Sequence, residues 1–104
     1  MYLVPILVGV SYQEQVLDFE GMKIRITLKY NSVCRFWTMD VFEIRSKQML
    51  AQGLSLVCGI PLLNRTLQSF EMFVSDESGE NLDPIELSDL GSRNLLFIDL
   101  KERL

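Results

Sequence analysis

Apolar and polar residues alternate most regularly between Gln13 and Asn31, in the run QEQVLDFEGMKIRITLKYN. Met22, Ile24, Ile26, Leu28 and Tyr30 alternate with Lys23, Arg25, Thr27 and Lys29. Successive side chains of a strand point to opposite faces, so this pattern predicts a half-buried strand with an apolar inner face and a cationic outer one. Just upstream, Gln15, Leu17 and Phe19 alternate with Glu14, Val16 and Asp18, and Glu20-Gly21 separates the two runs. A glycine second in a two-residue connection reaches positive φ without a steric cost, which predicts a tight hairpin.

The rest of the chain continues in short extended runs. Asn31-Ser32 predicts a turn, and a third strand begins near Cys34. Within CRFWTMDVFEI, Trp37, Met39 and Val41 share one parity, while Phe36, Thr38, Asp40 and Phe42 share the other. Aromatics on both parities predict a central strand or one covered on both sides. Arg45 to Gln48 is a polar turn, and MLAQGLSLVCG returns as a fourth strand with Gly53 at a possible bulge. Pro61 lacks a ladder donor and biases Ile60 to extended geometry, so Gly59 to Asn64 predicts a corner. A short link from Arg65 to Ser69 leads to a fifth strand, Phe70 to Ser75. The stretch Asp76 to Gly91 is a long acidic loop, mobile or functional by its length. Asn94 to Leu100 supplies a sixth strand, followed by a charged end.

Six short strands without an amphipathic helix predict an all-β, barrel-like or sandwich domain, with closure into a small barrel the favoured form because it hides strand edges. Residues 1–10 are apolar except for Pro5 and Gly9, and are expected to form an extended N-terminal arm or edge strand on a single domain of residues 11–104. This run has no basic flank and no small-residue cleavage site, and it is too short to span a bilayer. Synthesis in a reducing compartment, with Cys34 and Cys58 as free thiols, is therefore expected, and no membrane partner.

The net charge of −4 and pI near 4.7 argue against nucleic acid as the main partner. The basic stripe Lys23, Arg25 and Lys29 lacks the outward aromatics that would stack bases, so a solvated face is the simpler reading, though it leaves open a pairing edge for an acidic strand. The absence of histidine removes the commonest general base and metal ligand. Ser and Cys therefore have no His partner, and no phosphate-binding glycine loop is present, so catalysis is not expected. Cys34 and Cys58 would face each other across a hairpin turning near Ser46, in reach of a disulfide or shared metal. The simpler reading is two small buried residues, because two thiols alone make a poor zinc site. The carboxylates Asp76, Glu77, Glu80, Asp83 and Glu86 suggest a calcium loop, but glycine falls at the fourth position instead of the sixth and strands flank the loop. No metal or cofactor is expected.

The order of motifs carries a resemblance. A glycine hairpin, then LKYN, then the aromatics of RFWTMDVFE, then GLSLVCGIPLLN and finally LSDLGSRNLLFIDL resemble the baseplate plug family of contractile-tailed bacteriophages, over roughly Gln13 to Leu100. The resemblance implies a non-enzymatic virion protein beside the tail hub and spike, in several copies around the tail axis and made in the host cytoplasm. Such a protein would help to assemble the baseplate and hold its pre-contraction state. The positions it marks are structural: Gly21 in the turn, Asn31 closing the second strand, Trp37 as a core anchor, Gly59 and Pro61 at the corner, and Gly91 before the last strand. Apolar residues left over suggest a protein stabilised by neighbours, with Leu3, Val4, Ile6, Leu7, Phe36 and Phe42 as candidate partner contacts. The alternative is a small β-barrel binding single-stranded nucleic acid or a peptide strand.

Overall fold

In the computed structural model, which describes residues 2–63 and 68–103, the chain forms β1 (Tyr2–Leu3), β2 (Tyr12–Phe19), β3 (Met22–Asn31), β4 (Phe36–Glu43), β5 (Gln48–Ser55), β6 (Phe70–Asp76) and β7 (Asn94–Leu100), with a 3-10 turn at Lys101–Arg103. Glu20 (φ 49°) and Gly21 (φ 79°) are both left-handed between β2 and β3. A type I′ hairpin requires that of its two central residues, and its twist matches the strands it joins. The register is then unbroken for eight pairs, from Tyr12 opposite Lys29 to Phe19 opposite Met22.

β2, β3, β4 and β5 form one antiparallel meander. β4 is central, and its Trp37, Met39 and Val41 are buried with Ile24, Ile26 and Leu28 of β3. Burying an aliphatic side chain of this size contributes about 1.5–3 kcal/mol, so the alternation on β3 alone anchors this sheet. The β4–β5 register shifts on either side of Val41, and the four residues Ala51 to Leu54 span what the three residues Met39 to Val41 span on β4. Gly53, at φ 67°, lies in the bulge, and its N–H donates to Asp40 Oδ1 at 2.8 Å.

The second sheet has the order β1-β7-β6 and is also antiparallel. Phe19 joins the layers, meeting Tyr2 edge-on at 5.2 Å and Phe70 at 6.3 Å between ring centroids. The fold is all-β, as the patterning predicts, but its details differ from those predictions. Among the described residues there are seven strands, not six, and they form two sheets of three and four strands, the sandwich form, without closing into the favoured barrel. No ladder joins the two sheets: the chain leaves the first at Leu56, whose N–H bonds to Trp37 O, and residues 56–63 lie outside the strands. Gly59 N–H donates to Val74 O and Leu62 N–H to Met72 O, with Pro61 between them unable to donate. The corner therefore covers an edge without extending a ladder.

Residues 2–10 do not extend away from the domain. Of the two readings, arm or edge strand, Tyr2–Leu3 form an edge strand of the chain's own sheet, pairing with Ile98 and Phe97. Of the expected link Arg65–Ser69, residues 65–67 lie outside the described residues. The cysteines do not face each other: Cys34 is exposed before β4, and Cys58 is buried after the chain has crossed to bridge Val74. The bulges and the corner break the register that simple hairpin counting assumes.

Candidate partner-binding surfaces

In the acidic loop, Asp76 and Asp89 accept from the loop's own backbone. Asp76 accepts from Ser78 N–H, Ser78 Oγ and Leu82 N–H, and Asp89 Oδ2 accepts from Ile85 and Glu86 N–H. Arg93 lies 3.6 Å from Asp76 and 3.4 Å from Asp89, and donates to Asp83 O. Asn94, fully buried, donates its amide to Ser75 O and Leu82 O. Leu82 N–H and Ser78 hold the Asp76 carboxyl below the usual carboxylate range against the opposing effect of its burial. Asp83 instead accepts from Cys58 N–H at 2.7 Å, tying the loop to the corner. Among the described residues no group of carboxylates and thiols is arranged to hold a metal. Burial, then Asp76 and Asp83, raise the Cys58 thiol pKa, which disfavours a reactive thiolate.

The residues marked as structural take these places. Asn31 ends β3, and its Oδ1 accepts from Val33 and Cys34 N–H, which fixes the turn into β4. Trp37 is buried, its ring 5.2 Å from that of Tyr30, and its Nε1 points at Glu86 O at 3.5 Å. Gly59 packs against Asn81, and Pro61 is exposed at the corner. Gly91, at φ 92°, lies against Ile6 and Val8, where a Cβ would come within 3.0–3.1 Å of their methyls. That close approach ties the loop to the N-terminal segment.

The candidate partner contacts separate into different groups. Val4 is only 2% exposed and lies in the core, its N–H bonded to Leu96 O, so it is unavailable to a partner. A residue counted as part of a free arm is thus internal, because β1 carries the chain back onto its own sheet. Leu3 and Leu7 are exposed at 56% and 59%, and Ile6 is half-buried against the core. Phe36 and Phe42 are half-buried on the outer face of the meander, with Arg25 4.7 Å above the Phe42 ring. Lys29 on the same face lies 3.4 Å from Asp40, so part of the basic stripe is already neutralised. β3 is flanked by β2 and β4, so the stripe lies on a face and offers no pairing edge.

Sequence reasoning missed two features. Phe73 and Phe97 stack at 5.8 Å on the outer face of the smaller sheet, in register with Leu3 of β1. The signal was the near-continuous apolar character of FEMFVSD and NLLFIDL, which marks strands apolar on both faces. Gln13 was the other: its Oε1 accepts from Leu7 N–H, and its Nε2 donates to Leu7 O and Val10 O. A polar residue at an inward parity was the available clue.

A family model described as cyanophage baseplate Pam3 plug gp18 matches residues 1–101. The chain belongs to this baseplate plug family. No curated protein matches it. The match spans the acidic loop and the N-terminal segment as well as both sheets, so the parts that looked peripheral in the sequence belong to the family unit. Baseplate plugs are structural parts of a phage virion, and the described residues of this one are organised to hold one another in place.

Proposed function

We propose that this protein is a structural plug of a contractile-tail phage baseplate, where it aids assembly and helps to hold the pre-contraction state beside the tail hub and spike. The observation that carries this reading is the family match over residues 1–101. The geometry is compatible with it. Asp76, Asp83, Asp89, Arg93 and Asn94 are engaged in holding loops, and apolar residues remain exposed at Leu3, Leu7 and Val33. Exposed apolar surface of this kind is stabilised by neighbouring subunits. The proposed contacts are Leu3, Ile6, Leu7, Phe36 and Phe42, together with the Phe73–Phe97 row. Several copies around the tail axis would present these surfaces to the hub, after synthesis in the host cytoplasm.

Mass spectrometry of purified virions, combined with co-purification of the tail-hub proteins, tests the role. The expected result is this chain in the particle at low stoichiometry and bound to the hub. Absence from particles despite abundance in infected cells would overturn it. A gel shift with single-stranded nucleic acid that weakens steeply with salt would favour the alternative binding module instead.

A further inference from the structure

The two sheets present four edges, and three of them are protected. β6 is covered by the segment from Cys58 to Leu62, whose backbone bonds to Val74 and Met72. β5 carries two register shifts and Gly53. β1 is two residues long and is followed by Pro5. Coverage, bulges, short length and proline are the means by which natural sheets avoid unwanted pairing. β2 has none of these. Its eight residues pair without a shift to β3, and among the described residues it has no strand on its other side.

An opening of about 270 Å³ lies beside the second half of this free edge, lined by Tyr2, Pro5, Leu17, Phe19 and Ile98, with Val16 and Asp18 of the other parity at its margin. On the outer face the same strand presents Glu14 and Asp18, both exposed. β3 already shows which strand chemistry β2 accepts: apolar residues inward, with Lys23, Arg25 and Lys29 outward, Lys23 directly opposite Asp18. A second copy of the chain fits poorly. Symmetric antiparallel pairing centred on Val16 would place Glu14 opposite Asp18 of the copy, and like charges directly opposite are destabilising.

We propose that the free edge of β2 accepts an extended strand from a neighbouring protein. Its alternate apolar side chains enter the opening beside that edge, and its intervening Lys or Arg residues lie beside Glu14 and Asp18. Main-chain hydrogen bonds supply attachment and the alternation supplies selectivity, as in other cases of strand addition. This deepens the baseplate reading by naming the chemistry of one partner contact.

The test uses the full chain, isotopically labelled, and two capped synthetic octapeptides of one composition: an alternating Lys-Val-Lys-Ile-Arg-Val-Lys-Ile and a block-ordered Lys-Lys-Lys-Arg-Val-Ile-Val-Ile. The alternating peptide is expected to shift the amide resonances of Tyr12–Phe19, slow their hydrogen exchange, and bind at least tenfold more tightly than the block-ordered one. Combining Glu14→Lys with Asp18→Lys should weaken that binding by roughly tenfold, and the isosteric pair Glu14→Gln with Asp18→Asn by a few-fold, while the other resonances stay in place. Equal binding of both peptides, perturbation confined to Gln48–Ser55, or protection of β2 by self-association without peptide would overturn the proposal. Because the assay needs no virion, peptide binding with absence from particles would sink only the baseplate role. Presence in particles without peptide binding would sink only the edge.

Discussion

β3 buries Ile24, Ile26 and Leu28 on one face and is joined to both neighbours by tight connections, whereas β6 and β7, though they pair regularly and bury Phe70, Met72, Val74, Leu96 and Ile98, are flanked by irregular segments that polar side chains help to hold. Buried Glu71 accepts from Met72 N–H and from Leu63 N–H, which pins the corner segment against β6. Asn94 and Arg93 at the start of β7 do the same for the acidic loop. The meander joins strands adjacent in sequence, so alternation and short turns set its order, with Asn31, Asp40 and Glu43 holding only its turns and bulge. The smaller sheet brings residues 2–3 beside 94–100, and the irregular chain around it has backbone groups that only side chains can satisfy. Regular pairing satisfies its own hydrogen bonds, while irregular chain must borrow donors and acceptors.

This contrast can be broken or sharpened by experiment. The largest effect is expected from Trp37→Ala, which empties the core of the meander and should cost about 3–5 kcal/mol in chemical denaturation. Asn94→Ala should cost about 1–3 kcal/mol, because it leaves Leu82 O without its side-chain donor and removes a second donor from Ser75 O, which the β6–β7 ladder already engages. A cost near zero in the same assay would show that the smaller sheet does not depend on its polar side chains. Two glycine substitutions compare the regions directly. Gly21→Ala, with open space around the turn, should cost about 1 kcal/mol. Gly91→Ala should cost about 1 kcal/mol more, because its Cβ also meets Ile6 and Val8. Equal losses in thermal melts would mean that the N-terminal segment yields to the loop at no cost.

Acid titration separates the regions by another route. Asp76 is held low chiefly by Leu82 N–H, with burial opposing, and Glu43, in the meander, by its bonds to Ser46. A carboxylate with a depressed folded pKa contributes stability that is complete above its unfolded value of about 4 and is lost as pH falls through the lower folded value. Asp76→Asn and Glu43→Gln should therefore each flatten the decline in stability below about pH 4, without steepening it on the alkaline side. An unchanged acid limb in both variants would remove these carboxylates from the account. The smallest effect is chemical: a thiol reagent should modify Cys34 in the native protein and Cys58 only on unfolding, read as one and then two equivalents released.

The sequence by itself determined the hairpin at Glu20-Gly21, the inward faces of β3 and β4, the bulge at Gly53 and the corner at Pro61, because each follows from side-chain parity or local backbone restriction. The order of its motifs also carried the family resemblance. Parity is silent about which edges meet, so the choice between barrel and sandwich lay beyond it. Only the tertiary structure placed Tyr2–Leu3 on β7, buried Val4 and took Cys58 away from Cys34. Only it turned the carboxylates of Asp76 and Asp89 inward onto their own loop and left β2 with a free edge. These outcomes depend on contacts between residues far apart in the chain, where the hydrogen-bonding needs of irregular backbone, and not local periodicity, select the arrangement.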